Sequence, residues 1–404
     1  MKLRYQYRIY PRKPQQTNLS RLFGCTRVVW NDALALVKST PNGEKWPTST
    51  ELSKRCITQA KKTVERSWLS EVSSVPLQQS IIDLGSAFKN FFDSRKGKRK
   101  GKRVGFPRFK KRSATQSARF AKTAFSIKGS QVYLAKIGTV KTKWSRPLPN
   151  APSSVTVIKD QQNHYYLSFV VEAEPTMDPA PNPAIGVDLG IKTFAFPSHG
   201  EPIQGPDYSK LNHKVKRAQR TLSRRQKGSK RRERARLRVA KLKAKIRSIR
   251  KDFLHKTTTQ WVRDNQVLCF EDLNVSGMVK NRKLARAISE QGWRECRTMS
   301  EAKATMYGRE VRVIDRWEPT SQYCSECGFP WGKLDLSVRQ IKCLGCGTIH
   351  DRDSNAAKNI EHVGVGHTHD SEINGPGSTC KTGFPAGCVE PSNRIVDSQL
   401  CLDI

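Results

Sequence analysis

The sequence predicts a multidomain α/β protein, on three observations. Stretches with the strand period of two and stretches with the helix period follow one another in blocks. A run with four prolines, residues 175 to 183, separates two of these blocks. Two Cys-x-x-Cys knuckles, Cys324/Cys327 and Cys343/Cys346, mark a further small unit. With 404 residues, 36% hydrophobic content, fifteen Phe and eight Trp, the chain can fill two or three cores.

The N-terminus, residues 1 to 10, alternates polar and apolar residues as a strand does, and lacks the apolar stretch of a secretory signal. No run approaches the length of a membrane span. Leu19, Leu22, Phe23, Trp30, Ala33, Leu34 and Val37 then recur at helical spacing. A second helix is expected after Thr48-Ser49, and a third from Pro76, with Leu77, Ile81, Leu84, Phe88 and Phe92 on one face. Residues 95 to 112 form a basic connector. From 119 to 174 the runs are short and β-rich, a small barrel or sheet that the first strand joins, with the helices inserted.

Beyond the prolines, residues 184–190 and 192–196 read as two strands around a glycine turn. Leu211, Val215, Ala218 and Leu222, then Val239, Leu242, Ile246, Ile249 and Phe253, predict two long helices with Gly228 between them. A buried strand follows at 266–270 and ends at Glu271; a helix is expected near 289–307, a strand at 310–315 and a last helix from Asn355 to about Val363. Residues 365–404 carry no period and predict a disordered tail.

The formal net charge is +39. Such a surface repels itself unless a polyanion neutralises it, which points to a phosphate backbone as partner. The charge is concentrated: residues 214–251 hold 19 Lys or Arg among 38 positions against one acid, Glu233. Ordinary solvated faces mix signs, so this hairpin is the predicted nucleic-acid grip, with Arg217, Arg220, Arg224, Arg225, Arg231, Arg232, Lys241 and Lys245 as contacts. Gln78 and Gln79 have side chains able to read adenine edges; an ordinary polar helix turn is the alternative. Tyr5, Tyr7, Tyr10 and Trp144 can stack on bases or fill a core.

Of eleven cysteines, four sit in metal spacing and the others are scattered singly, as in a reducing cytoplasm. Fifteen residues separate the two knuckles, a zinc-ribbon spacing. A closed four-thiolate site would hold one structural zinc and leave no position for a reacting water, the alternatives being two free dithiols or an iron–sulfur cluster. Phosphodiester hydrolysis instead needs hard oxygen ligands for Mg²⁺, commonly a pair of ions about 3.5–4 Å apart. Asp188 in a strand, Glu271 at a strand end and Asp353 at a helix start are the candidate ligands. The strand period turns Glu271 and Asp272 to opposite faces; Asp353-Ser354-Asn355 has cap character, and Asp351 is a rival to Asp353.

These residues also carry a resemblance. Residues 186–192 (Gly-Val-Asp-Leu-Gly-Ile-Lys), 270–273 (Phe-Glu-Asp-Leu), the two knuckles and 351–360 (Asp-Arg-Asp-x-Asn-Ala-Ala-x-Asn-Ile) look like the signature of the TnpB family, which is related to the type V CRISPR effector nucleases. The likeness covers roughly residues 1–363; Glu318 departs from it, since relatives tend to carry an uncharged residue there. The resemblance implies an RNA-guided DNA endonuclease with a RuvC domain of RNase H-like fold (182–320 and 348–364) and an inserted zinc ribbon (321–347). It further implies a wedge β-barrel (1–10 and 117–181) interrupted by a helical recognition domain (11–116). Its implied partners are a guide noncoding RNA, double-stranded DNA beside a short motif and the displaced single strand, in a prokaryotic cytoplasm near the nucleoid. An RNA-guided repressor that does not cut, and an RNase H-like transposase, are the alternatives.

Overall fold

The computed structural model describes residues 1–366 apart from 42, 100, 176–178 and 336; the tail expected from 365 lies, past 366, outside the described residues. The chain is a multidomain α/β protein whose contacts gather it into two compact units. Among the described residues the first comprises 1–173 and 226–241, and the second 174–225 and 242–366. The unit boundary near 173 precedes the expected 181 because the last strand of the first unit ends at Glu172. Among the described residues no helix is long and apolar enough to cross a membrane.

In the first unit, β1 (Lys2–Ile9) leads into α1 (Lys13–Ser39), α2 (Ser49–Ser53) and α3 (Ser74–Arg95). Then come β2 (Gln116–Ala121), β3 (Phe125–Lys128), β4 (Gln131–Leu134), β5 (Gly138–Lys143), β6 (Ser154–Lys159) and β7 (Tyr165–Glu172). The strands form one seven-stranded sheet, order β2-β6-β7-β1-β5-β4-β3, with antiparallel pairing throughout. β1 is central and pairs with β7 along its whole length, from Lys2↔Glu172 to Ile9↔Tyr165. Its alternate residues Leu3, Tyr7 and Ile9 are buried, as the period of two requires. Tyr7 is therefore core, and Trp144 stacks on Phe169 with ring centroids 5.7 Å apart.

The helices obey equally local rules. α1 has Pro in its first turn and buries Leu19, Leu22, Phe23, Val29, Ala33, Leu34 and Val37 along one stripe. α2 starts on the Thr48/Glu51 capping box, in which Glu51 N donates to Thr48 Oγ1 at 3.3 Å and Thr48 N to Glu51 Oε2 at 2.7 Å. α3 begins at Ser74, two residues before the expected Pro76, because proline fits a first turn whose N–H groups have no helical partner. Gln78 and Gln79 consequently sit in the second turn rather than at the helix start, Gln78 exposed and Gln79 half-buried.

In the second unit β8 (Asn182–Asp188) and β9 (Phe196–Pro197) are followed by α4 (Ser209–Ser223) and by α5 (Lys230–Asp264), whose residues up to 241 gather with the first unit. The chain continues through β10 (Asn265–Glu271), α6 (Val275–Met278), α7 (Ala285–Gln291), α8 (Trp293–Tyr307) and β11 (Glu310–Ile314). β12 (Gln340–Lys342), β13 (Ile349–Asp351) and α9 (Arg352–Val365) complete it. Its sheet runs β11-β10-β8-β9; β8, β10 and β11 are mutually parallel, and β9 is antiparallel to β8. The single helix expected over 289–307 is two: Gly292, at φ 74°, closes α7 before α8 begins, a backbone region that glycine enters without steric cost.

One face of this sheet, with Ile185, Val187, Leu268 and Phe270, joins Leu254, Trp261, Val262 and Trp293 in a core. The opposite face receives α9. A Cβ added at Gly186 would lie 2.5 Å from Glu361 N, and one at Gly364 would lie 2.6 Å from Cys269 Cβ. Glycine at these two positions lets α9 lie directly on β8 and β10.

Candidate active site and zinc centre

Strand register brings the first two candidate residues together. Phe270 is paired with Val187 in the parallel β10–β8 ladder, so the next residues, Glu271 and Asp188, stand side by side at the carboxyl ends of both strands. Val187 and Phe270 point into the core, which turns Asp188 and Glu271 to the α9 face. Carboxyl ends of parallel strands are where open α/β sheets place ligands.

α9 delivers the third. Its N-cap is Asp351, whose Oδ1 accepts from Asp353 N and Ser354 N, both at 3.0 Å. The cap character assigned to Asp353-Ser354-Asn355 thus belongs two residues earlier: Asp351 is used up by the helix, and Asp353 lies in the first turn with its carboxylate available. Asp353 and Glu271 both act on Asp188. Burial first, then Glu271, then Asp353 push the Asp188 carboxyl up to about 8. Burial also raises Glu271, against a hydrogen bond from Thr320 Oγ1 to Glu271 Oε1 at 2.9 Å. Asp272 faces away, ion-paired with Arg297 at 3.0 Å and with Arg316.

Two features here escaped sequence reasoning. Arg339 donates from Nη1 to both oxygens of Asp353, at 2.9 and 3.2 Å. It precedes β12, and the β12–β13 hairpin folds it back onto the start of α9, with Arg352 N bonding to Arg339 O at 2.8 Å. Thr320 links Glu271 to α9, because the buried Asn359 donates from Nδ2 to Thr320 O at 2.7 Å. An i,i+4 asparagine pair near a carboxylate motif is the signal that could have found this link. Asn355 Nδ2 donates to Tyr323 O at 2.9 Å and its Oδ1 accepts from Ser325 N at 2.9 Å, so both asparagines grip the chain entering the first knuckle.

The four candidate zinc ligands, Cys324, Cys327, Cys343 and Cys346, have sulfur atoms all within 4.8 Å of one another. Both knuckles repeat one hydrogen-bond pattern: Gly328 N to Cys324 O and Gly347 N to Cys343 O at 2.9 Å, Cys324 N to Phe329 O at 2.9 Å and Cys343 N to Thr348 O at 2.8 Å. Gly328 and Gly347 take φ of 72° and 79° to close the turns. Zinc–sulfur bonds of about 2.3 Å imply tetrahedron edges of about 3.8 Å. The Cys324–Cys346 and Cys327–Cys343 separations, 3.7 and 3.5 Å, fit that ion. His350 Nε2 lies 3.0 Å from Cys324 Sγ, in position to orient that sulfur.

The remaining candidates lie elsewhere. Arg217 and Arg220 are exposed on α4, Arg224 and Arg225 follow it, and Arg231, Lys241 and Lys245 are exposed on α5, with Arg232 half-buried. Gln78 and Gln79 belong to α3.

Three family models match the chain: "Probable transposase" over residues 168–282, "Cas12f1-like, TNB domain" over 293–360 and "Helix-turn-helix domain" over 1–41. Over 1–41 the structure has one strand and one long helix. A Streptomyces pristinaespiralis protein described as "Putative RNA-guided DNA endonuclease" is 44% identical over 370 residues, 90% of each chain. Escherichia coli (strain K12) "Putative RNA-guided DNA endonuclease InsQ" is 31% identical, over 90% of this chain and 92% of its own. "TnpB-like protein L770" of Acanthamoeba polyphaga mimivirus is 28% identical over 56% of this chain and 46% of its own. A chain from the "Cryo-EM structure of the Cas12f1-sgRNA-target DNA complex" aligns at TM-score 0.46 and 16% identity, over 86% of this chain and 81% of that one. With relatives this similar over nine-tenths of its length, and with the signature motifs in order along the chain, the protein belongs to the TnpB family.

Proposed function

We propose that this protein is an RNA-guided DNA endonuclease that hydrolyses phosphodiester bonds at one Mg²⁺-dependent site, with Asp188, Glu271 and Asp353 as the metal ligands. The observation that carries the reading is the register that sets Glu271 beside Asp188 under the first turn of α9. The raised Asp188 carboxyl fits a cation too: the cluster collects more negative charge than its own residues neutralise. Bound Mg²⁺ would activate water and stabilise the leaving oxygen. This chain's own groups do the rest. Thr320 holds the Glu271 carboxylate, Asp351 sets the start of α9, and Arg339 balances Asp353 until a substrate phosphate competes for its guanidinium.

The zinc would be structural, gripping the segment from which Asn355 and Asn359 hang α9. We further infer that the unit-2 sheet with α9 is the RuvC domain. The seven-stranded sheet would be the wedge barrel, α1–α3 the recognition helices and α4–α5 the phosphate grip on guide RNA or heteroduplex. Gln78 and Gln79 are offered as motif readers. The family description "Probable transposase" favours one second reading, strand transfer at transposon ends by the same carboxylates without RNA. Purified complexes decide between them. Guide-dependent DNA cutting that Asp188→Ala abolishes while DNA binding persists supports the endonuclease; RNA-free protein that joins transposon ends supports the transposase.

A further inference from the structure

A cleft of about 360 Å³ opens beside Glu271. Its floor is apolar, from Leu189, Phe270, Leu273, Val275 and Trp293, of which Leu189, Leu273 and Val275 stay only partly covered. Its rim is polar, with Asn274, Ser276, Thr298, Arg297, Glu301 and Arg316. Charge decides what it can take. Arg297 is bound to Asp272 and to Glu301, each at 3.0 Å, and Arg316 bonds from Nε to Asp272 O at 3.0 Å and pairs with the Asp272 carboxylate. Asp272 is engaged by both of these guanidinium groups. The arginines are thus already neutralised within the rim, and a phosphate entering here would meet no surplus of positive charge beyond the exposed Arg294. A neutral, flat group with hydrogen-bonding edges and an apolar face suits an apolar floor ringed by paired charges and small hydroxyls.

We propose that this cleft is a nucleobase subsite, which takes one unstacked base of the strand being cut, beside the carboxylate site at which that strand is hydrolysed. The proposal rests on the endonuclease reading and extends it. Unstacking costs least in single-stranded or already melted DNA, so the subsite makes the site select displaced single strands over duplex.

The test uses the full RNA–protein complex and single-stranded DNA oligonucleotides matching its guide, with one abasic residue walked across the cut region. In the wild-type complex with Mg²⁺, cutting falls about tenfold when the abasic residue occupies one position flanking the scissile bond. Ser276→Leu/Thr298→Leu, both exposed positions, fills the cleft; this complex cuts the intact strand about tenfold more slowly and loses the dependence on the abasic position. Ser276→Ala/Thr298→Ala removes the two rim hydroxyls but leaves the cleft open, so this complex cuts the intact strand more slowly than wild type and keeps the dip at the same abasic position. A flat abasic walk in the wild type, or a dip that survives the two leucines, overturns the proposal. A second readout needs no cutting: 2-aminopurine at that position in the Asp188→Ala complex changes its emission on binding, and the leucines abolish the change. If that signal appears while the wild-type complex cuts nothing, the endonuclease reading fails and the base subsite stands; if it is absent, the subsite fails.

Discussion

The cysteine cluster and the carboxylate cluster of this protein are assembled in opposite ways. The four cysteine sulfurs lie within 4.8 Å of one another and, among the described residues, form the sole group of three or more potential ligands gathered so closely. Asp188 feels the charges of Glu271 and Asp353, but the three are not drawn into so tight a group. Thiols can crowd while protonated. Ionised carboxylates 4 Å apart repel by about 4 kcal/mol at an effective dielectric near 20. The carboxylate site relieves this by pushing Asp188 toward its neutral form and by pairing Asp353 with Arg339. On the function proposed above, one cluster is a part of the fold, and the other is a charged cradle that backbone register holds ready for a cation.

The largest effect expected from this contrast is on chemistry alone. Asp188→Ala should lower DNA cutting by ~10³-fold or more, with guide and target binding and the melting temperature essentially unchanged. The zinc cluster should behave in the reverse order. Cys324→Ser/Cys343→Ser, or removal of zinc with a strong chelator, should unfold the β12–β13 hairpin, since thiolate–zinc binding supplies about 10–16 kcal/mol of folding energy in small modules. Cutting should fall as well, because Asn355 and Asn359 lose the backbone they hold, and added Mg²⁺ should not restore it. Zinc content and melting curves, measured beside cutting, check both halves.

Arg339 sharpens the comparison from the carboxylate side. In Arg339→Ala the free protein should bind Mg²⁺ several-fold more tightly, as expected for loss of a partly exposed ion pair worth about 1 kcal/mol, yet cut about tenfold more slowly for want of a phosphate partner. If both quantities fell together, Arg339 would be only a support for the hairpin. The smallest effect concerns a charge that needs no ion. Buried Lys303 donates to His255 O, Thr258 Oγ1 and Thr259 Oγ1 at 2.6–2.8 Å, and burial lowers its pKa to about 8. Between pH 8 and the unfolded value near 10.5 the unfolded chain binds the extra proton, so stability rises with pH across that window. Melting temperatures of wild type should climb there relative to Lys303→Met, whose profile lacks this contribution.

Much of this was legible in the sequence where the signal is local. Cys-x-x-Cys spacing, the strand period around Glu271 and the helical spacing of α1 each depend on a few neighbouring residues. What the sequence concealed is long-range or turns on a single backbone angle. The pairing of β1 with β7 joins residues more than 150 positions apart, and Arg339 reaches Asp353 only because a hairpin closes between them. Gly292 splits a helix whose apolar spacing reads as continuous. Where α9 starts was hidden in the same way: its cap is Asp351, two residues before the cap character read at Asp353.

The account's central claim is tested most directly by purifying the protein from cells that also express its flanking DNA. The RNA that accompanies it is sequenced, and the complex with Mg²⁺ is applied to plasmids carrying the guide's target beside randomised bases. The account predicts a bound RNA and cleavage confined to plasmids with one adjacent motif, lost in Asp188→Ala. Bound RNA with intact plasmids, or cleavage that Asp188→Ala leaves unchanged, would contradict it.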